Sequence, residues 1–120
     1  MSPSIPDPHE LLPLPAAMFH ILVAVADQDR HGYAIMQDVA ARTNGTLKLS
    51  PGTLYGSIKR MLEEGLIVEV SDRQRPAEDD ERRRYYRITA FGRSVAQAEA
   101  ARLATLLRQA KAVGLAPGRA

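Results

Sequence analysis

The 120-residue chain has no cysteine and no tryptophan, and only 5% of its residues are aromatic. Without thiols, disulfides, thiolate catalysis, cysteine-ligated metal and thiol-based redox sensing are excluded. His9, His20 and His31 are not spaced as a helical ligand pair and lack a nearby carboxylate pattern typical of a metal site, so no metal site is expected. Long hydrophobic runs are missing too. "AAMFHILVAVA" at 16 to 26 is the most apolar stretch, about half of what a bilayer crossing needs. "MSPSIPDPHE" has no basic region leading into an apolar core, unlike a signal peptide. The expectation is a cytoplasmic protein without a membrane partner. No nucleophile–base pairing or glycine-rich phosphate loop is present, so neither an enzyme nor a cofactor is expected.

Acidic residues are scarce in one part only. Residues 1 to 81 carry 7 Lys+Arg and 13 Asp+Glu, a net −6, whereas residues 82 to 120 carry 9 Lys+Arg against Glu99 alone, a net +8. The overall +2 hides this segregation, which points toward a polyanionic partner. Arginine dominates the basic part, and its planar fork suits phosphate and base edges.

A chain of this length builds one domain with a modest core. Residues 1 to 13 contain four prolines and few periodic signals, and read as a flexible N-terminal arm whose leucines, with Leu14, pack at its end. From Pro15, a helix-opening proline, the segment to Ala26 is apolar almost all round, as in a helix covered on two sides. "DQDRHG" breaks it. "GYAIMQDVAART" gathers Ile35, Met36, Val39 and Ala40 on one face of a second helix.

"SPGTLYGSIKRMLEEGLIVEV", residues 50 to 70, is the most informative stretch. Ser50 fits an N-cap, Pro51 the first helical position, and Gly65 the stop. Leu54, Ile58, Met61 and Leu62 form a buried stripe. "LIVEV" and "RYYRIT" have strand character and flank the solvated "SDRQRPAEDDERR", so they form a two-stranded hairpin. Thr89 then caps a long helix from Ala90 to about Val113, stopped by Gly114 and Pro117. The expected fold is mainly α: a winged helix-turn-helix of three helices and a two-stranded β wing over 14–89, a long C-terminal dimerisation helix over 90–113, and a tail at 114–120.

At this point the chain resembles the PadR family of transcriptional regulators. "HGYAI" at 31 to 35, "LSPGTLYGSIKRMLEEGLI" at 49 to 67 and "RRRYYRITAFGR" at 82 to 93 carry the likeness, in family order and spacing. The resemblance implies a repressor that responds to a small molecule. Its single final helix resembles the short-tailed members, which dimerise through it. Two departures stand out: Gly56 occupies a position where the family often has proline or alanine, and the wing tip "PAEDDE" (76 to 81) is acidic, unlike a loop that inserts into a minor groove.

If the stripe faces the core, the opposite face of the third helix carries Gly52, Thr53, Gly56, Lys59 and Arg60, with Tyr55 on its flank. Slim residues near the base edges, followed by longer cationic donors, suit a helix entering a major groove. Ser50, Thr53 and the free N–H groups of the first turn are candidate phosphate donors, with Lys59, Arg60 and Tyr55 beside them. Ser50, Pro51 and Gly52 also serve simply to start a helix, and Lys59 and Arg60 are equally ordinary surface charges. Arg82, Arg83, Arg84 and Arg87 are candidate backbone contacts from the wing, some of them paired instead with the acidic tip. Tyr33 is either a phosphate donor or a tyrosine at the core edge. Tyr85 and Tyr86 are expected to pack rather than to stack on bases.

On the last helix, Phe91, Val95, Ala98, Leu103, Leu106, Leu107 and Ala110 give an apolar face expected to meet a second copy. A two-fold homodimer would present two recognition helices to a pseudo-palindromic site in double-stranded DNA. His20 lies in the first helix, packed or lining an effector pocket. The alternative is a winged helix that binds another protein and no specific DNA, docking through its acidic wing tip and basic last helix.

Overall fold

Seven regular elements and one turn of 3-10 helix follow one another in the computed structural model, which describes residues 6–70 and 84–116. They are α1 (Ala16–Ala24), β1 (Arg30–His31), α2 (Gly32–Arg42), α3 (Pro51–Glu63), β2 (Ile67–Val70), β3 (Tyr85–Ile88) and α4 (Ala90–Ala112), with the 3-10 turn at Pro8–Leu11. The fold is mainly helical and matches the winged helix with a long C-terminal helix.

The core forms where α1 lies across α2, α3 and α4. Met18, Ile21, Leu22, Ala24 and Val25 are all buried, so the nearly uniform apolar character of α1 reflects cover from several helices of its own domain. Ile35 and Val39 come in from α2, Leu54, Ile58 and Met61 from α3, and Val95 from α4. Burying each of these larger side chains contributes about 1.5–3 kcal/mol relative to exposure. Pro15 is the N-cap of α1, one position before the first helical residue where the sequence placed it.

The helix ends follow the capping chemistry of the sequence. Ser50 Oγ accepts from the Thr53 N–H at 3.1 Å, and Pro51 follows in the first turn, where its missing donor is harmless. Gly65 closes α3 in the left-handed region at φ 78°. Thr89 Oγ1 accepts from the Gly92 N–H at 2.8 Å and donates to the Gly65 carbonyl at 2.6 Å, tying the start of α4 to the end of α3. α2 is capped by a ring nitrogen: His31 Nδ1 accepts from the Ala34 N–H at 3.2 Å.

The sheet has three strands where the sequence suggested two. β1 pairs antiparallel with β3 (Arg30 with Tyr86, His31 with Tyr85), and β3 pairs with β2, giving the order β1-β3-β2. A two-residue strand has no periodicity, which is why "DQDRHG" reads as a break. Arg30 secures it: its Nε donates to the Ala24 carbonyl at the end of α1 at 2.6 Å, and its guanidinium lies 3.4 Å from Asp38 of α2.

The expected flexible arm is partly ordered. Within 1 to 13, Pro8–Leu11 form the 3-10 turn, capped by Asp7 and packed on α4, with Leu11 and Leu12 against the core. Glu99 of α4 is buried, takes a bidentate contact from Arg102 at 2.7 and 2.9 Å, and accepts a backbone hydrogen bond from Leu14. The Arg102 guanidinium holds its carboxyl below the usual range against the opposing effect of burial. Among the described residues, no helix is long and apolar enough to cross a membrane.

Candidate nucleic-acid interface

The period of α3 divides it into two surfaces. Leu54, Ile58 and Met61 are buried, whereas Gly52, Thr53, Tyr55, Gly56, Lys59 and Arg60 are exposed on the other side. Leu62 departs from expectation: it is 36% exposed and sits at the rim rather than in the stripe. It follows Met61 directly, and a step of 100° per residue carries it past the edge of the contact with α1.

The first turn of α3 offers little bulk, because Gly52 and Gly56 have open space where a side chain would project. Ser50 Oγ also donates to Thr53 Oγ1 at 3.1 Å, which orients the threonine hydroxyl at the helix start. Lys59 has no ion-pair partner among the described residues, whereas Arg60 Nε lies 3.6 Å from Glu64, one helical turn on. Lys48, exposed two residues before the N-cap, adds a cation at this end. It stands in a connection without periodicity, which gives it no sequence signature.

Two phenols stand near the same end. Tyr33 in the first turn of α2 is 60% exposed, and Tyr55 is 51% exposed. The bare backbone of Gly32 lies against the Tyr55 ring, a contact between residues far apart in the sequence.

The wing contributes less than expected within the described residues. Arg83, Arg82 and the acidic tip at 76 to 81 lie outside them. Arg84 is exposed, with its guanidinium 3.8 Å from Glu69 across the β2–β3 pair. Arg87 is committed elsewhere: it grips Asp29 with two hydrogen bonds of 3.0 and 2.9 Å. That contact holds its pKa above the ordinary arginine value. Tyr85 and Tyr86 are buried and pack on opposite sides of β3: Tyr85 edge-on to His31 at 5.3 Å, Tyr86 in the core. Burial and the nearby Glu69 raise the Tyr86 pKa, so its phenol is neutral.

α4 splits into two halves. Val95 is fully buried in its own domain and cannot meet a partner, which removes it from the expected interface. Phe91 packs against the same core, because the first turns of α4 lie on α1. Ala98 and Ala110 are half-buried, whereas Leu103, Leu106 and Leu107 are 38%, 52% and 47% exposed. A hollow of about 150 Å³ is lined by Pro6, Asp7, Glu10, Leu11, Glu64 and Phe91. It is smaller than the roughly 300 Å³ at which drug-sized pockets begin. No group of three potential ligand side chains that could hold a metal occurs among the described residues.

Residues 21–98 match the transcriptional regulator PadR-like family. The chain belongs to the PadR-like family.

The chain is 32% identical over 94 residues to the transcriptional regulator Rv3488 of Mycobacterium tuberculosis, covering 78% of this chain and 81% of that protein. It is 35% identical over 74 residues, 62% of this chain, to an uncharacterised protein X of Lysinibacillus sphaericus. The chain spans 65% of that relative's length, and 24% of a 37.1 kDa transposon protein of Streptomyces fradiae. Among solved structures, a PadR family transcription regulator from Clostridium difficile superposes with a TM-score of 0.69 at 23% identity, over 82% of this chain and 98% of that one. A transcriptional regulator from Clostridium thermocellum gives 0.69 at 22% identity, over 83% and 90%. The Mycobacterium tuberculosis relative and both Clostridium structures are transcription regulators.

Proposed function

We propose that this PadR-like protein is a cytoplasmic, ligand-responsive repressor that binds a pseudo-palindromic operator as a homodimer and reads it with α3. The observation that carries this reading is the exposed face of α3: slim at Gly52, Thr53 and Gly56, cationic at Lys59 and Arg60, and opposite a fully buried stripe. In this reading Thr53 and Tyr55 approach base edges or the adjoining phosphates, while Ser50, Lys59, Arg60 and Tyr33 hold the backbone. Arg83 and Arg84 are assigned to backbone contacts from the wing.

Leu103, Leu106 and Leu107 support the dimer, since a helix exposing three leucines in two turns gains by covering them. Ala98 and Ala110 border the same half of α4 and allow close approach. A ligand that prefers a different separation of the two recognition helices would shift the population away from the DNA-binding form.

The test is fluorescence anisotropy on duplex from the gene's own upstream region, beside a scrambled duplex, across a salt series. Tight binding to the first, a steep salt slope and much weaker binding to the second are expected. Indifference to both duplexes at low salt refutes the reading.

A further inference from the structure

Three glycines lie in or beside the DNA-facing surface, and they differ in what surrounds them. A Cβ added at Gly52 or Gly56 would meet open space. One added at Gly32, in the first turn of α2, would run into the Tyr55 hydroxyl oxygen and lie 2.9 Å from Tyr55 Cζ and 3.1 Å from Cε1. The far end of the Tyr55 ring therefore rests on Gly32, bridging α3 to the start of α2. Gly32 is buried, while half of Tyr55 faces outward.

Local rules do not ask for glycine here. Among the described residues the glycines with positive φ are Gly45, Gly65 and Gly114, so the backbone of Gly32 is open to any L-residue. Inside a helix glycine is less favourable than alanine. His31 already provides the cap. What glycine uniquely supplies is the space the phenol occupies.

We propose that Gly32 is a positioning residue for DNA recognition: by leaving its side empty it seats the Tyr55 ring and fixes the phenolic hydroxyl at the α2–α3 junction. A seated ring has already lost its rotamer freedom, so its hydroxyl meets the duplex without further ordering. The exposed Tyr33 phenol follows Gly32 directly, which puts a second hydroxyl-bearing side chain at that junction. The inference rests on the DNA reading above and deepens it, because a buried residue that does not reach the duplex sets the affinity.

The perturbation is Gly32→Ala. The atoms it meets belong to the tip of a half-exposed side chain, so the ring swings outward while the fold holds. The probe is the duplex that the unaltered protein enriches from a random-sequence library. G32A is expected to bind it about a hundredfold more weakly, because a two-fold dimer loses one hydrogen bond to a charged group, about tenfold, at each half-site. Y55A should lose a similar factor, and the double variant should lose no more than Y55A alone, because both changes remove one interaction. Melting temperature should stay at or above that of the unaltered protein in G32A.

Unchanged binding by G32A overturns the proposal, as does unchanged binding by Y55A. Additive losses in the double variant, or a binding loss that follows a lowered melting temperature, identify Gly32 as a merely structural residue. If the unaltered protein enriches no sequence at all, the DNA reading itself fails and takes this inference with it.

Discussion

Replacing Lys59 with alanine tests the interface by its salt dependence, which is more telling than affinity alone. Lys59 is exposed and has no ion-pair partner among the described residues, so its charge is available to a phosphate. Each phosphate neutralised on B-DNA contributes about 0.9 to the slope of log K against log salt. A two-fold dimer carries the substitution twice, so K59A should flatten the slope by about 1.8. Between 50 and 200 mM salt the advantage of the unaltered protein then shrinks roughly twelvefold. Arg60→Ala should change the slope less, because Glu64 at 3.6 Å already offsets part of that charge. The assay is anisotropy at five salt concentrations on the selected duplex and on a scrambled one, and K59A should weaken both by the same factor. Parallel lines, displaced but equally steep, would refute the phosphate assignment and move Lys59 to a base edge or off the interface.

If the proposed dimer forms through α4, Leu106→Asp should convert it to monomer at micromolar concentration in sedimentation experiments while leaving helicity intact, since Leu106 is half-exposed in the single chain. Gly92→Ala should be severely destabilising, because its Cβ would overlap the Leu66 backbone carbonyl, which cannot swing aside; thermal melting or loss of soluble protein reads this out. Glu99→Gln should lower stability by about 1–2 kcal/mol at neutral pH in denaturant titration. Because the folded-state pKa of Glu99 is depressed, its contribution is complete above the unfolded value and disappears as pH falls through the folded value. The unaltered protein should therefore lose stability more steeply than E99Q below about pH 4.3.

The division of α3 into a buried and an exposed face was readable because it is local. A cap three residues from its donor, a proline beside it and a stripe with period 3.6 all fall within "SPGTLYGSIKRMLEEG". Leu62 marks the limit of periodicity: a helical wheel places it beside Ile58, one turn earlier, but does not say where the neighbouring helix ends. The wing arginines were indistinguishable as letters. Arg87 differs from Arg84 only because Asp29, 58 positions away, comes within hydrogen-bond reach.

The courses of α1 to α4, the caps at Ser50 and Thr89 and the exposed side of α3 were legible in the chain, since each depends on residues within one or two turns. Ser50, Gly65, Thr89 and Gly114 stand where capping chemistry requires them. Three further features came from packing: β1 joins the sheet, Val95 belongs to its own core, and Gly32 carries Tyr55. These depend on atoms brought together from distant segments, and periodicity records which side of a helix is buried without recording what buries it.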